Sequence, residues 1–360
     1  MKSAHLRAVI VKVTQGDKLV ISQAFGESMT GVPATTAMHF PNGAVAFAYL
    51  GTLLMQFVDE HKVKLDDTIE RWMPELPEAN KVTLKMLANQ TTGYPDFETD
   101  PKWLAAWSAN PFHIWTFGER LKYAFSRPVQ FAPGANWSYA HTNFMILGEI
   151  LAKIGGKPLD ALVREKVLDP MGLKNTIASQ TSDIPSPVLH AFDSERRTAL
   201  KIPPDISFYE ESSFWNAQWG TPMGANQTTD IDDMVTTAVK VGTGALLSKS
   251  SYEAMTGPHL LGFGKKQDNC APSCFTQVNG YNYGIGVVRS GSWLLQNPLL
   301  DGYSATEAYL PSKKIAIAVA VTFAPEAFDS QGNYKNSSDT LFRSIGAYLV
   351  PDDAPPTAKN

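Results

Sequence analysis

Residues 131–148 read Phe131-Ala-Pro-Gly-Ala-Asn-Trp-Ser-Tyr139-Ala-His141-Thr-Asn-Phe-Met-Ile-Leu-Gly148. A Pro-Gly turn leads into an aromatic, polar stretch, and the residues after it predict a helix over Thr142 to Ile154 that His141 opens. Upstream, helical segments are expected at Thr83 to Ala88, Trp103 to Trp107 and Phe117 to Phe125, and downstream at Leu159 to Val167. From about Asp66 to Asp233 the chain is therefore helices and long loops. The flanks differ. Arg7 to Thr14 and Lys18 to Phe25 are β-rich runs separated by Gln15-Gly16-Asp17, a hairpin signal. Phe47, Leu50, Leu54, Phe57 and Val58 then fall on one stripe of a helix, with Asn42 where an N-cap would stand. Beyond Asp233 come one more helix, short strands at Tyr283 to Val288, Ser292 to Gln296, Thr306 to Leu310 and Ile315 to Thr322, and a last amphipathic helix capped near Ser337-Ser338-Asp339.

Strands at both ends enclosing a helical stretch predict an α+β fold. An antiparallel sheet flanked by helices is formed by residues 1–67 and 235–360, and a mostly helical inserted lobe by 68–234. A ligand is expected between the two. The tail from Pro351 onward is expected to fray.

The 360 residues carry 31 basic and 35 acidic side chains, a net charge of −4, and 44% are apolar. That balance lacks the basic surface needed to neutralise a phosphate backbone, so nucleic acid is not an expected partner. The longest apolar run, Ile315 to Ala324, is about half of the roughly 20 residues that span a bilayer as a helix, and reads as a buried strand. The first residues carry no apolar core of a signal peptide, so either the protein is cytoplasmic or a leader has been removed. Cys270 and Cys274 would close a small disulfide loop in an oxidising compartment, or stay reduced in a cytosolic one. A loop with two nearby cysteines and a proline is poorly explained by core packing, so the disulfide is the favoured reading, and with it an extracytoplasmic location. No histidine pair has metal-ligand spacing, and neither a metal nor a cofactor is expected.

Leu65-Asp66-Asp67, Leu84-Lys-Met-Leu-Ala-Asn-Gln-Thr-Thr-Gly-Tyr-Pro-Asp-Phe97, the 131–148 stretch, Gly156-Lys-Pro-Leu and Val167-Leu-Asp-Pro-Met-Gly-Leu-Lys-Asn-Thr176 together carry a likeness over nearly the whole chain. They resemble the serine β-lactamase and penicillin-binding-protein family, in its class C, D,D-peptidase and esterase branch. The resemblance implies three catalytic elements: Ser-x-x-Lys opening the first helix, Tyr-x-Asn, and Lys/His-x-Gly on a strand edge. Counted from Phe40 and from Asp66-Asp67, the first falls on Ala44-Val45-Ala46-Phe47. A methyl group and a phenyl ring can neither attack a carbonyl nor move a proton. The second survives in part as Tyr139-Ala140-His141. The third, counted back from Gly302-Tyr303-Ser304, falls on Gln296-Asn297-Pro298.

Three readings follow. In the first, the chain binds a small-molecule or peptide-like ligand without acyl transfer, a pseudoenzyme with an apolar cleft floor at Phe47. A second makes it a repurposed isomerase, cyclase or hydrolase with Tyr139 and His141 as acid and base near neutral pH. The third takes it as a serine esterase or D,D-peptidase inactivated by Ser→Ala. Tyr139 and His141 are the candidates for chemistry; Ala44, Phe47, Gln296, Asn297 and Trp293 are the candidates for binding. Trp215 and Trp219 are further candidates to line the site, and 221–225 resembles a family lid segment.

Overall fold

A computed structural model describes residues 1–178, 181–216 and 227–357. Gly16, at φ +57°, turns the chain between β1 (Leu6–Gln15) and β2 (Lys18–Met29), as the hairpin signal predicts. β3 (Val32–Pro33) follows, then α1 (Val45–Asp59), α2 (Pro101–Ala109), α3 (His141–Gly155) and α4 (Ile231–Gly242). Short strands β4 (Asn282–Tyr283), β5 (Val288–Ser290), β6 (Trp293–Gln296) and β7 (Leu299–Leu300) lead to β8 (Tyr303–Leu310) and β9 (Ile315–Phe323). The chain closes with α5 (Ser337–Leu349). Among the described residues these strands form one nine-stranded antiparallel sheet in the order β3-β2-β1-β9-β8-β6-β5-β4, with β7 paired to β8. N- and C-terminal strands meet at β1 and β9, where Ile10 lies opposite Ala320.

Strand alternation assigns the two faces of the sheet. On β8, Ser304 and Thr306 point to α5, and both hydroxyls bond Ser338. Tyr309 points the other way, against Gly242 of α4, where an added Cβ would lie 2.3 Å from the tyrosine ring. The β9 strand is buried along its whole length, as its apolar run predicts. Apolar nearly all round, α1 lies in the core with every residue from Val45 to Met55 buried.

Three local expectations are corrected. Asn42 does not cap α1. The N-cap is Ala44, two residues on, and Asn42 is tied to Gln227 through its backbone and contributes only its carbonyl to Val45. The tail does not fray at Pro351: Trp293 donates its indole N–H to the Asp353 carbonyl at 2.9 Å, and Arg343 bonds the Pro356 carbonyl. The strand expected at Tyr283 to Val288 is broken into β4 and β5 by the turn through Gly286, at φ +70°. Among the described residues no helix is long and apolar enough to cross a membrane. Trp219 and 221–225 lie outside the described residues.

Candidate functional site

The Asn89-Gln-Thr-Thr-Gly93 motif explains how the start of α3 is held. Gln90 sits at φ +69°, and its side-chain carbonyl accepts from the Ala140 N–H at 3.1 Å and from the Asn143 amide at 2.5 Å. Thr92 donates to Asn143 at 2.6 Å. On the other side, the Tyr139 N–H donates to the Ser273 carbonyl at 3.3 Å, inside the loop closed by the Cys270–Cys274 disulfide. Asn136 and Asn269 add bonds to Lys265 and Gln130 across the same seam. Tyr139 and His141 are therefore fixed from both sides.

Ala44, Phe47, Tyr139 and His141 come together where the start of α1 meets the start of α3. Phe47 is fully buried and lies flat on Phe144, with ring centroids 3.9 Å apart and planes 5° apart. Its ring is 6.2 Å from Tyr139 and 5.9 Å from His141. Phe47 is thus a packed core side chain, and its ring face is spent on Phe144 rather than offered to a ligand. Burial pushes the Tyr139 hydroxyl well above its ordinary range, so it stays a neutral phenol.

His141 turns toward acid. Its Nδ1 is 3.0 Å from Asp96 Oδ2 and 2.9 Å from Glu98 Oε2. Burial opposes a charged imidazole, but the Glu98 and Asp96 carboxylates outweigh it and carry the ring up to about 10. Burial likewise pushes the Glu98 carboxyl up to about 8, with His141 opposing. The expectation of an imidazole working as a base near neutral pH is corrected: with the two acidic groups at its Nδ1 the ring is pushed up and stays protonated there.

Asp96, Glu98 and His141 line a cavity of about 630 Å³, together with Glu195 and the indoles of Trp103 and Trp107. No lysine or arginine is among its described lining residues. Asp100 caps α2 by accepting from the Lys102 and Trp103 N–H groups, which sets the two indoles on one helix face beside Phe97. Trp215 packs edge-on against Trp107 in the same aromatic cluster. Sequence spacing cannot reveal Asp96 and Glu98, which lie more than forty residues from His141. The available signal was the Tyr-Pro-Asp-Phe end of the 84–97 motif, whose aspartate is the one that meets the imidazole.

The strand residues divide. Gln296 on β6 is buried on the α1 side and donates to the Gly286 carbonyl at 2.6 Å. Gly286 itself abuts Phe47, since a Cβ there would lie 2.3 Å from the Phe47 carbonyl oxygen. Pro298 packs against Gly43, next to Ala44, so residues 296–298 run beside the start of the first helix. Asn297 instead bonds Asp339 at 3.1 Å at the start of α5. Trp293 is corrected as a ligand contact. One strand parity away from Gln296, it points to the opposite face of the sheet and is buried against Phe342.

The sheet, the helices around it and the meeting of α1, α3 and β6 define a β-lactamase/transpeptidase-like fold. The chain belongs to the Beta-lactamase family, whose match covers residues 1–341. The D-alanyl-D-alanine-carboxypeptidase/endopeptidase AmpH of Escherichia coli is 30% identical over 137 residues, 36% of this chain and 34% of that protein. The chain thus matches about a third of that relative's length. D-amino acid amidase from Ochrobactrum anthropi superposes with a TM-score of 0.78 at 19% identity, over 98% of this chain and 96% of the amidase. A penicillin-binding protein from Bacillus halodurans gives 0.73 at 16% identity, over 97% and 98%.

Proposed function

We propose that this chain is a non-acylating member of its family that binds a small, peptide-like ligand. One observation carries the reading: position 44 holds a methyl group and position 47 a buried phenyl ring, and counting from Phe40 and from Asp66-Asp67 assigns the family's attacking hydroxyl and lysine to these two positions. The names of the amidase and carboxypeptidase relatives support D-amino-acid amides or peptides ending in D-alanine as the ligand class. The cavity beside His141, acidic on one wall and indole-lined on another, is large enough for such a molecule.

Neither a fluorophosphonate nor a penicillin probe is expected to label the protein, and intact mass spectrometry after incubation reads this directly. Ala44→Ser alone is expected to remain unlabelled, because Phe47 supplies no base. Covalent labelling of the unmodified chain at any residue of the α1–α3 junction would falsify the reading. Restored turnover in Ala44→Ser would instead identify a conventional serine hydrolase carrying a single inactivating change.

A further inference from the structure

We infer that Asp96, Glu98 and His141 form a binding site for a divalent transition-metal ion of the zinc type. The inference is independent of whether the chain acylates. It stands on geometry. Zinc binds imidazole nitrogen and carboxylate oxygen at about 2.1 Å in a tetrahedron whose donors lie about 3.4 Å apart, and it would take the place of the proton that Nδ1 now shares with the two carboxyl groups. Here Nδ1 of His141 is 3.0 Å from Asp96 Oδ2 and 2.9 Å from Glu98 Oε2. All three residues offer ligand atoms within 4.8 Å of one another, close enough for one ion to reach each.

The backbone supplies this arrangement from two places. Asp96 and Glu98 flank Phe97 at a 3₁₀ turn, where Asp96 accepts from the Glu98 N–H at 3.3 Å, so both carboxylates issue from one short, braced segment. His141 comes from the first position of α3, which Gln90 and Thr92 hold. A ligand set on braced backbone keeps its shape without the ion.

A second observation points to an absent cation. Oε1 of Glu98 is buried with no hydrogen-bond partner among the described residues, on a side chain only 10% exposed. A buried carboxylate oxygen left without a donor is costly, and a metal ion bound bidentately by Glu98 satisfies it. The same three residues also line the 630 Å³ cavity beside Glu195, whose carboxyl burial pushes up to about 8, so that it stands there as a neutral acid at neutral pH. Three protein donors with an open side leave coordination positions for water, or for a carboxylate or carbonyl oxygen of a ligand in the cavity. The set has no sulfur, and its one imidazole favours zinc, nickel, copper or iron over magnesium, calcium and manganese.

The test uses the full chain, free of any polyhistidine tag and dialysed against EDTA, titrated with Zn²⁺ by calorimetry and with Co²⁺ by visible absorption. One ion per chain is expected, with a Co²⁺ spectrum that shows nitrogen and oxygen coordination. Asp96→Asn, Glu98→Gln and His141→Gln are each expected to weaken binding at least about tenfold and to alter that spectrum. Glu98→Gln preserves shape, and its circular dichroism and melting curve without metal show that the loss is not unfolding. Absence of saturable binding overturns the inference. So does stoichiometric binding that survives all three substitutions, or occupancy of the cavity by an alkylammonium ion with no effect of the substitutions on Zn²⁺.

Discussion

Phe47→Ala is expected to lower the unfolding free energy by about 3–5 kcal/mol, the range for truncating a fully buried aromatic ring. The ring is stacked on Phe144 at 3.9 Å and bordered by Tyr139 and His141, so none of its area is free to relax into solvent. Urea unfolding monitored by tryptophan fluorescence measures the loss, and a change below about 1 kcal/mol would show that the junction repacks. Phe47→Lys is expected to be worse still, since it buries an ammonium group in a ring-packed site whose neighbour His141, with ring centroids now 5.9 Å apart, is held protonated. Reinstating the family's lysine therefore needs more than one substitution.

The second large effect concerns pH. Glu307, on β8 directly opposite Gln296, is 2% exposed, and burial pushes its carboxyl from 4.5 up to about 8. The folded chain keeps this proton between those values and the unfolded chain does not, so stability from this group is intact below about pH 4.5 and falls until about pH 8. Each pH unit in that window is worth about 1.4 kcal/mol. Tyr49 of α1, the titratable group facing it, is also held protonated by burial and bonds Thr237 at 2.9 Å. Glu307→Gln is expected to match the unmodified protein near pH 4 and to exceed its stability by a few kcal/mol at pH 8.5. Parallel stability profiles for the two proteins across pH 4–8.5 would refute the assignment.

The fold was readable where local pattern and tertiary context agree. The Gln15-Gly16-Asp17 turn needs a left-handed glycine, and β9 is apolar because both of its faces are covered. The helices between residues 83 and 163 start within a few residues of their expected positions. Misreadings arose where one residue of register changes the outcome. Asn42 has the right chemistry for a cap but stands two residues before it, and Trp293 lies one parity away from the α1 side. The candidate site was legible in half. Ala44, Phe47, Tyr139 and His141 lie at the ends of helices in contiguous motifs, whereas Asp96 and Glu98 reach His141 only once a loop folds against a helix start. No periodicity encodes that encounter.

The disulfide between Cys270 and Cys274 gives the Tyr139 neighbourhood a chemical fastening as well as a packed one. Its loop supplies the carbonyl that grips the Tyr139 backbone, so a thiol reductant acts on the seating of the phenol without touching it. Reduction is therefore expected to loosen the backbone around Tyr139, and amide hydrogen exchange of air-handled against dithiothreitol-treated protein would register the difference there.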